Sequence, residues 1–364
     1  MRVCFVSLSA YGYFNQDQFS ESMGGGAQRQ LSLIAKELAT RFDVHFVVGD
    51  YGQAATEVID GVTLHRSFEP QGSVIRKPVE MWKLFDAMRS ADADVYVSRN
   101  KPSLSAFTYV ATRLLGRDWV FNVANDRFVE PDGLSELSFP LSVLYRTAVR
   151  RADTVIAQTD YQQRRLRTIF GTESTVVPNG YPKADNFVPY EDREYYLWVG
   201  HLDPDQKRPE LLFELAERVP EAKFLLIGTR GTESYRTAVR ERADASDNVD
   251  YLLDVPPDQI HQYFSRSIAL INTSRYEGFP NTFLEAWRYG TPVLSLEIDI
   301  RRFLDGEPVG YADGDLSTLV DSVRELNERL AERKTLGGRV EDCFEKRYTI
   351  EAVADRYRAA LESR

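Results

Sequence analysis

Apolar residues in this chain gather in short runs, and amphipathic or polar stretches separate them. In the first half the runs predict strands near 2–8, 43–48, 62–66, 94–98, 118–123, 153–157 and 174–177. Helical spacing fills the gaps near 26–40, 79–90, 103–115, 136–151 and 159–169. The second half predicts strands near 195–199, 223–227, 249–252, 268–272, 292–295 and 309–311, and a last amphipathic helix from Ile350 to Arg364. Strands that alternate with helices indicate parallel sheets covered on both faces. Between the halves lies Val177-Pro-Asn-Gly-Tyr-Pro182, followed by a polar stretch to Arg193. Two prolines, an Asn-Gly turn and no apolar period mark a linker. The expected division is a first α/β domain over 1–180, a linker over 181–194, a second α/β domain over 195–345 and a terminal helix over 346–364.

Composition narrows the class. A length of 364 residues suggests two or three domains, and 43% hydrophobic residues can build large cores. No run approaches the roughly 20 apolar residues of a membrane span. The apolar stretch at Met1–Leu8 is too short for a signal peptide and reads as a first strand. Cys4 and Cys343 lack metal-ligand spacing, which suits a reducing cytosol. A net charge of −10 argues against broad nucleic-acid binding. Arginine outnumbers lysine 36 to 9, and Arg146, Arg150, Arg151, Arg164, Arg165 and Arg167 crowd one segment. That segment reads either as solvated helix faces or as a basic face for phosphorylated lipid head groups at the inner face of a membrane.

The most informative segment is Glu277-Gly-Phe-Pro-Asn-Thr-Phe-Leu-Glu285, closed by Gly290-Thr-Pro-Val293. Pro280 fits the first turn of a helix, where its missing N–H costs nothing. Gly290 ends that helix and Pro292 prevents it from resuming. Glu277 then lies in the loop before the helix and Glu285 one to two turns inside it. The apolar run Ser267–Asn272 precedes this segment and a short strand at 292–295 follows it. Strand, loop, helix and strand make a βαβ unit, whose ligands bind at the carboxyl ends of the strands. Free N–H groups of the first helical turn attract anions, and carboxylates beside them accept hydrogen bonds from sugar hydroxyls. Such an arrangement suits a sugar attached to a nucleotide diphosphate.

Three other segments carry polar chemistry. In Leu197-Trp-Val-Gly-His-Leu-Asp-Pro-Asp-Gln-Lys-Arg-Pro209 a buried strand ends in Gly200, where backbone can approach a phosphate, and Lys207 can neutralise a leaving diphosphate. Met23-Gly-Gly-Gly-Ala-Gln28 leads into a helix, without the Gly-x-Gly-x-x-Gly spacing of a dinucleotide fingerprint. Phe121-Asn-Val-Ala-Asn-Asp-Arg-Phe128 follows a strand and offers Asp126 as a hydrogen-bond acceptor. Asp92-Ala-Asp94 and Asp203-Pro-Asp205 read as loop carboxylates, and no cluster suggests a bound metal.

Together these segments resemble the retaining glycosyltransferases of the GT-B fold, family 4, whose paired-glutamate motif matches Glu277 and Glu285. The resemblance implies two Rossmann-like domains with parallel sheets facing a central cleft, and a terminal helix that crosses back to the first domain. It implies a nucleotide-sugar donor as substrate with no cofactor and no metal, and a glycan or lipid-linked glycan as acceptor. Glu285 is the implied ribose ligand, and Glu277 faces the donor sugar. Lys207, with His201 or Arg208, stabilises the departing diphosphate. Donor contacts extend to Gly25, Gly26, Gly200, Arg230, Phe279, Asn281 and Thr282. Asp126 stands near the acceptor, where many members have a histidine. The chain departs from the family in having His201 where an arginine usually follows the glycine, and Leu296–Ile300 where a glycine pair usually stands. The substitution at His201 favours a nucleotide-binding protein without catalysis as one alternative. Another GT-B enzyme, epimerase-like or of the sucrose-phosphate type, is a second.

Overall fold

The structure, a computed structural model, describes residues 1–15, 25–70, 78–256, 259–304 and 310–363. They form two compact units, Met1–Gly180 with Ile350–Arg364, and Tyr181–Thr349.

The first unit is built on an eight-stranded sheet. Its strands are β1 (Arg2–Val6), β2 (Asp43–Val48), β3 (Thr56–Ile59), β4 (Val62–Arg66), β5 (Val95–Ser98), β6 (Asp118–Asn122), β7 (Thr154–Ala157) and β8 (Thr175–Val176), in the order β3-β4-β2-β1-β5-β6-β7-β8. Every neighbouring pair is parallel except β3 with β4. Side chains alternate between the two faces of a strand. Val3, Phe5, Phe46, Val97 and Val120 therefore share one core with helix α1 (Gly26–Leu38) and the terminal helix α13 (Ile350–Glu362). Cys4, Val6, Val47 and Tyr96 share another with α2 (Pro78–Ala91) and α3 (Pro102–Leu115). Trp119, Phe121 and Val155 pack on α5 (Phe139–Arg150) through Tyr145 and Val149. Burial on both faces explains why these strands read as nearly continuous apolar runs.

The second unit holds a fully parallel five-stranded sheet. Its strands are β9 (Tyr195–His201), β10 (Phe224–Thr229), β11 (Val249–Leu253), β12 (Ser267–Asn272) and β13 (Val293–Ser295), in the order β11-β10-β9-β12-β13. Helices α7 (Glu210–Arg218), α8 (Glu233–Asp244), α10 (Asn281–Trp287), α11 (Leu316–Glu328) and α12 (Leu330–Arg347) are among those that cover it. In each sheet the chain begins in the interior, moves outward, and returns to the other side of its first strand. The reversal falls between β1 and β5 in one unit and between β9 and β12 in the other. Ligands of open α/β sheets bind in the crevice at that reversal, beyond the carboxyl ends of the strands.

Several elements differ from the sequence expectation. The first strand stops at Val6, and Leu8–Tyr13 form a 3-10 helix. Strand β3 was not expected. Its residues are half exposed, and Asp60 and Gly61 turn the chain with φ of 51° and 76°. An Asp-Gly turn of that form is a strong hairpin signal. The helix expected over 136–151 starts at Phe139, with Pro140 in its first turn, and α4 (Pro131–Ser135) precedes it. The helix over 159–169 is α6 (Asp160–Arg165) continued by a π-helical segment. The strand expected at 309–311 is reduced, among the described residues, to an isolated bridge between Tyr311 and Ser295. Gly310, at φ 64°, interrupts the extended backbone there, and residue 309 lies outside the described residues. Met23 and Gly24 of the glycine run also lie outside them. The last helix begins at Ile350, after α12 has run through to Arg347.

Candidate functional site

The loops after β9 and β12 meet at the reversal of the second sheet. In the first of them Asp203 organises the turn. Its Oδ1 accepts the backbone N–H groups of Asp205 and Gln206, both at 2.9 Å, and its carbonyl accepts those of Lys207 (3.0 Å) and Arg208 (2.9 Å). Asx turns of this kind fix a loop without regular structure. Arg208 takes φ 49° as a result. In the second loop Thr273 accepts the Trp198 indole N–H at 2.9 Å and donates to the Lys207 carbonyl at 2.6 Å. Arg275 N–H donates to the Gln206 carbonyl at 2.9 Å, so the second loop is tied once to β9 and twice to the loop that follows it. Gly200 allows the same packing, since a Cβ there would lie 3.0 Å from the Trp198 ring.

This frame brings Lys207 and Glu277 into an ion pair, with side chains only 18% and 11% exposed. Glu277 Oε1 also accepts the Ser274 hydroxyl at 2.9 Å. Behind it, Asn272 donates to Ser274 Oγ at 3.2 Å and accepts from Ser295 Oγ at 3.3 Å. Asn272, Ser274 and Ser295 are buried. They form a polar relay from two strand ends to the glutamate, which the sequence reading did not single out. Three small polar residues at or just beyond the ends of apolar strands were the available signal.

His201 ends β9 and lies beside Thr229, whose Oγ1 is 2.9 Å from Nδ1. The ring keeps an exposed edge, yet the protein around it desolvates the imidazolium and the Arg230 and Lys207 cations repel it. Its pKa is pushed down to about 4. His201 is therefore neutral at pH 7. For Nε2–H to donate to an anion, Thr229 must donate to Nδ1. Arg208 keeps one guanidinium nitrogen, Nη2, buried with no partner. Its other nitrogens donate to the Thr273 carbonyl at 2.9 Å and to Glu297 at 2.6 Å. Arg230 follows β10 with φ 55°, one residue beyond the ladder partners Thr229 and His201.

Helix α10 begins at Asn281, so Pro280 is its N-cap rather than part of its first turn. Asn281 and Thr282 open the helix, and Glu285 on its second turn is 7% exposed. The Phe279 ring packs at 4.8 Å from Phe303 and 5.4 Å from Tyr348. Its side chain therefore anchors the loop. Gly290 closes the helix at φ 60°, and a Cβ there would lie 2.4 Å from the Tyr190 hydroxyl.

A second feature missed in sequence lies in the stretch read as a linker. Arg193 is 4% exposed, and its guanidinium lies 4.2 Å from the Tyr190 ring centre. It donates to the carbonyls of Tyr289 (2.6 Å), Gly290 (3.3 Å) and Ser267 (3.3 Å), to Thr291 Oγ1 (3.0 Å) and to the Val188 carbonyl (3.2 Å). A cation at a helix C-terminus satisfies orphan carbonyls and opposes the helix dipole. Arg193 thus fixes the end of the helix that carries Glu285.

The remaining expected residues belong to the first unit. Gly25 is the N-cap of α1 and its N–H meets Gln28 Oε1 at 2.9 Å; Gly26 is the first helical residue. Asp126 opens a 3-10 turn and accepts the Gln162 amide at 2.7 Å. The Asp-x-Asp segments act as loop carboxylates: Asp92 pairs with Arg117 at 2.7 Å, and Asp94 accepts the Arg2 N–H at 2.8 Å. Among the described residues no group of three or more His, Cys, Asp or Glu side chains could hold a metal ion.

Comparison with known proteins agrees with this layout. Residues 25–180 match the glycosyl transferase 4-like domain, and residues 183–302 match the glycosyl transferases group 1 domain. Over 141 residues the chain is 33% identical to lipopolysaccharide 1,6-galactosyltransferase of Salmonella typhimurium, a match that covers 37% of this chain and 39% of that protein. The match thus spans about two-fifths of that relative's length. Sucrose-phosphate synthase of Thermosynechococcus elongatus superposes with a TM-score of 0.75 at 16% identity, covering 100% of both chains. The Anabaena protein HepE, solved in complex with UDP-glucose, gives 0.71 at 16% identity, again over 100% of both chains. At such identities the likeness is one of fold. With its two halves matched to these two domains and its fold shared with GT-B enzymes, the chain belongs to the group 1 glycosyltransferases, family 4 of the GT-B fold.

Proposed function

We propose that this chain transfers a sugar from a nucleotide-diphosphate sugar to a hydroxyl of a glycan or lipid-linked glycan, with retention of configuration. The observation that carries the reading is the half-buried Lys207–Glu277 pair at the sheet reversal, with the buried Glu285 on the following helix. The partial match to a lipopolysaccharide galactosyltransferase supports a glycan acceptor. In the proposed reaction the bond between the anomeric carbon and the diphosphate oxygen breaks, and the acceptor oxygen bonds to that carbon on the same face. The acceptor proton passes to the leaving phosphate oxygen. Lys207 stabilises the charge that develops on the diphosphate. Glu285 accepts the ribose hydroxyls, and Glu277 orients both Lys207 and the sugar. His201, standing where the family usually has an arginine, favours a second reading, binding without turnover.

Release of free nucleoside diphosphate on addition of acceptor separates the two. In the same assay Glu285→Ala is expected to weaken donor binding by ~1.5–3 kcal/mol, the worth of a hydrogen bond to a charged group. An unchanged donor dissociation constant would remove the ribose role. Transfer is also expected to persist with excess chelator, and loss that manganese or magnesium restores would contradict a metal-independent reaction.

The acceptor side carries a further reading, peripheral contact with an anionic membrane through α5. Phe139 and Val143 are 82% and 50% exposed one turn apart, beside Arg146 and Arg150. Arg165 and Arg167 are paired with Glu130 and Glu173, which removes two charges from the basic segment. Among the described residues no helix is long and apolar enough to cross a membrane. Each basic group near an anionic surface adds about 1 kcal/mol, and salt screens the distant acidic residues over ~8–10 Å. Co-sedimentation with phosphatidylglycerol vesicles is expected to fall when Phe139 and Val143 are changed to serine together. Equal binding to neutral and anionic vesicles, or none to either, would leave α5 a solvated helix.

A further inference from the structure

The first sheet has its own reversal, between β1 and β5, and a buried cation stands there without a counter-ion. Arg99 follows β5 directly and is 3% exposed. One guanidinium nitrogen donates to Asn179 Oδ1 at 2.9 Å, a neutral acceptor, and Nε is buried with no partner. Among the described residues no carboxylate pairs with it.

The surroundings share this deficit. Val6 pairs with Ser98 across β1 and β5, and Ser98 with Phe121 across β5 and β6. One residue further on, Ser7, Arg99 and Asn122 therefore form a row across three adjacent strand ends, on the face covered by α1 and α13. Ser7 Oγ is buried without a partner. From α1, Gln30 uses Oε1 to accept the Gly180 N–H at 2.9 Å, next to Asn179, and leaves Nε2 buried without a partner. From α13, Tyr357 accepts the Asn122 amide at 3.1 Å, while Asn122 Oδ1 has none. A buried guanidinium with no opposite charge costs several kcal/mol, and each unmet buried polar group adds to that. Most such groups in folded proteins do find a partner. Three of the four orphans here, Arg99 Nε, Gln30 Nε2 and Ser7 Oγ, can donate.

We propose that the first unit seats an anion, a phosphoryl or carboxylate group of a substrate, on Arg99 at the β1/β5 reversal, with Ser7 and Gln30 as further donors. Guanidinium suits both groups because its planar fork matches their oxygens. Asn122 Oδ1, an acceptor, fits a hydroxyl on the same ligand. Burial pushes the Arg99 pKa down to about 10, so the charge is kept at pH 7. In a sugar transferase the anion belongs to the acceptor, an assignment that rests on the function proposed above; the seat itself does not.

The test is anion binding by the full chain without donor, at constant ionic strength in chloride, in the Lys207→Ala background so that the second unit does not answer. Inorganic phosphate, glucose 6-phosphate and glucuronate are the probes, read by thermal shift and calorimetry; the last two separate a phosphoryl from a carboxylate ligand. At least one probe is expected to raise the melting temperature above the chloride control. Arg99→Met is expected to weaken that binding at least tenfold. Should Arg99→Met fail to fold, Ser7→Ala is expected to weaken it severalfold in a folded protein. No response beyond chloride to any probe would overturn the proposal, as would a response unchanged in the variants. Because no turnover is measured, failure here and failure of the transfer reaction are distinguishable.

Discussion

Changing Lys207 to methionine should lower sugar transfer about 10²–10³-fold, the usual effect of removing one group aimed at developing charge. The effect should fall on kcat more than on KM, because the diphosphate gains its full charge only as the sugar leaves. Lys207 and Glu277 are both half-buried, so removing the lysine also strands a partly shielded carboxylate, at a cost of about 1–3 kcal/mol in stability. The double variant Lys207→Met with Glu277→Gln removes both charges. It should recover most of the lost melting temperature and none of the lost rate. A single variant with wild-type kcat, or a double variant that regains activity, would show that Lys207 does not act on the leaving group.

Arg193→Met should be among the most destabilising single changes in the second unit, by about 3–5 kcal/mol, because it leaves several buried carbonyls without a donor. For a unit of this size that is a fall in melting temperature on the order of 10 °C. Loss of the contacts at Tyr289 and Gly290 frees the end of α10, so the donor dissociation constant should rise as well, although Arg193 lies at the opposite end of that helix from its N-cap. A variant with unchanged thermal stability would show that Arg193 does not hold the end of α10. Thermal denaturation followed by near-ultraviolet circular dichroism, with donor titration of the folded protein, measures both.

Much of the fold is legible because a parallel sheet buried on both faces writes itself into the chain as repeated apolar runs. Central strands such as β1, β2 and β12 are the clearest cases. The strand β3 escaped because an antiparallel edge strand needs only a half-buried face, and Thr56-Glu-Val-Ile59 shows no run. Segment ends were set by features that periodicity does not carry, such as Pro140 at the start of α5 and the left-handed Gly310. At the site, the spacing of Glu277 and Glu285 and the position of Lys207 were visible as pattern. What holds them was not. Asp203 acts through two backbone N–H groups, Asn272 and Ser274 act through one another, and Arg193 reaches residues more than ninety positions away. The Arg193 contacts depend on tertiary structure, and no local window of sequence contains both partners, whereas the Asp203 and Asn272 bonds span two or three residues and are set by loop geometry that apolar periodicity does not report.

Helix α13 has a consequence for how the protein is made. It gives Val353, Tyr357 and Leu361, all fully buried, to the core of the first unit, each contributing about 1.5–3 kcal/mol. Yet the ribosome reaches α13 only after the whole of Tyr181–Thr349. At about 5–20 residues per second that interval is on the order of ten to thirty seconds. Throughout it the nascent first unit shows an apolar groove along α1 and β1 with nothing to fill it. Chaperones that bind emerging apolar surface would find it during that interval and lose it once the last turn of α13 is released.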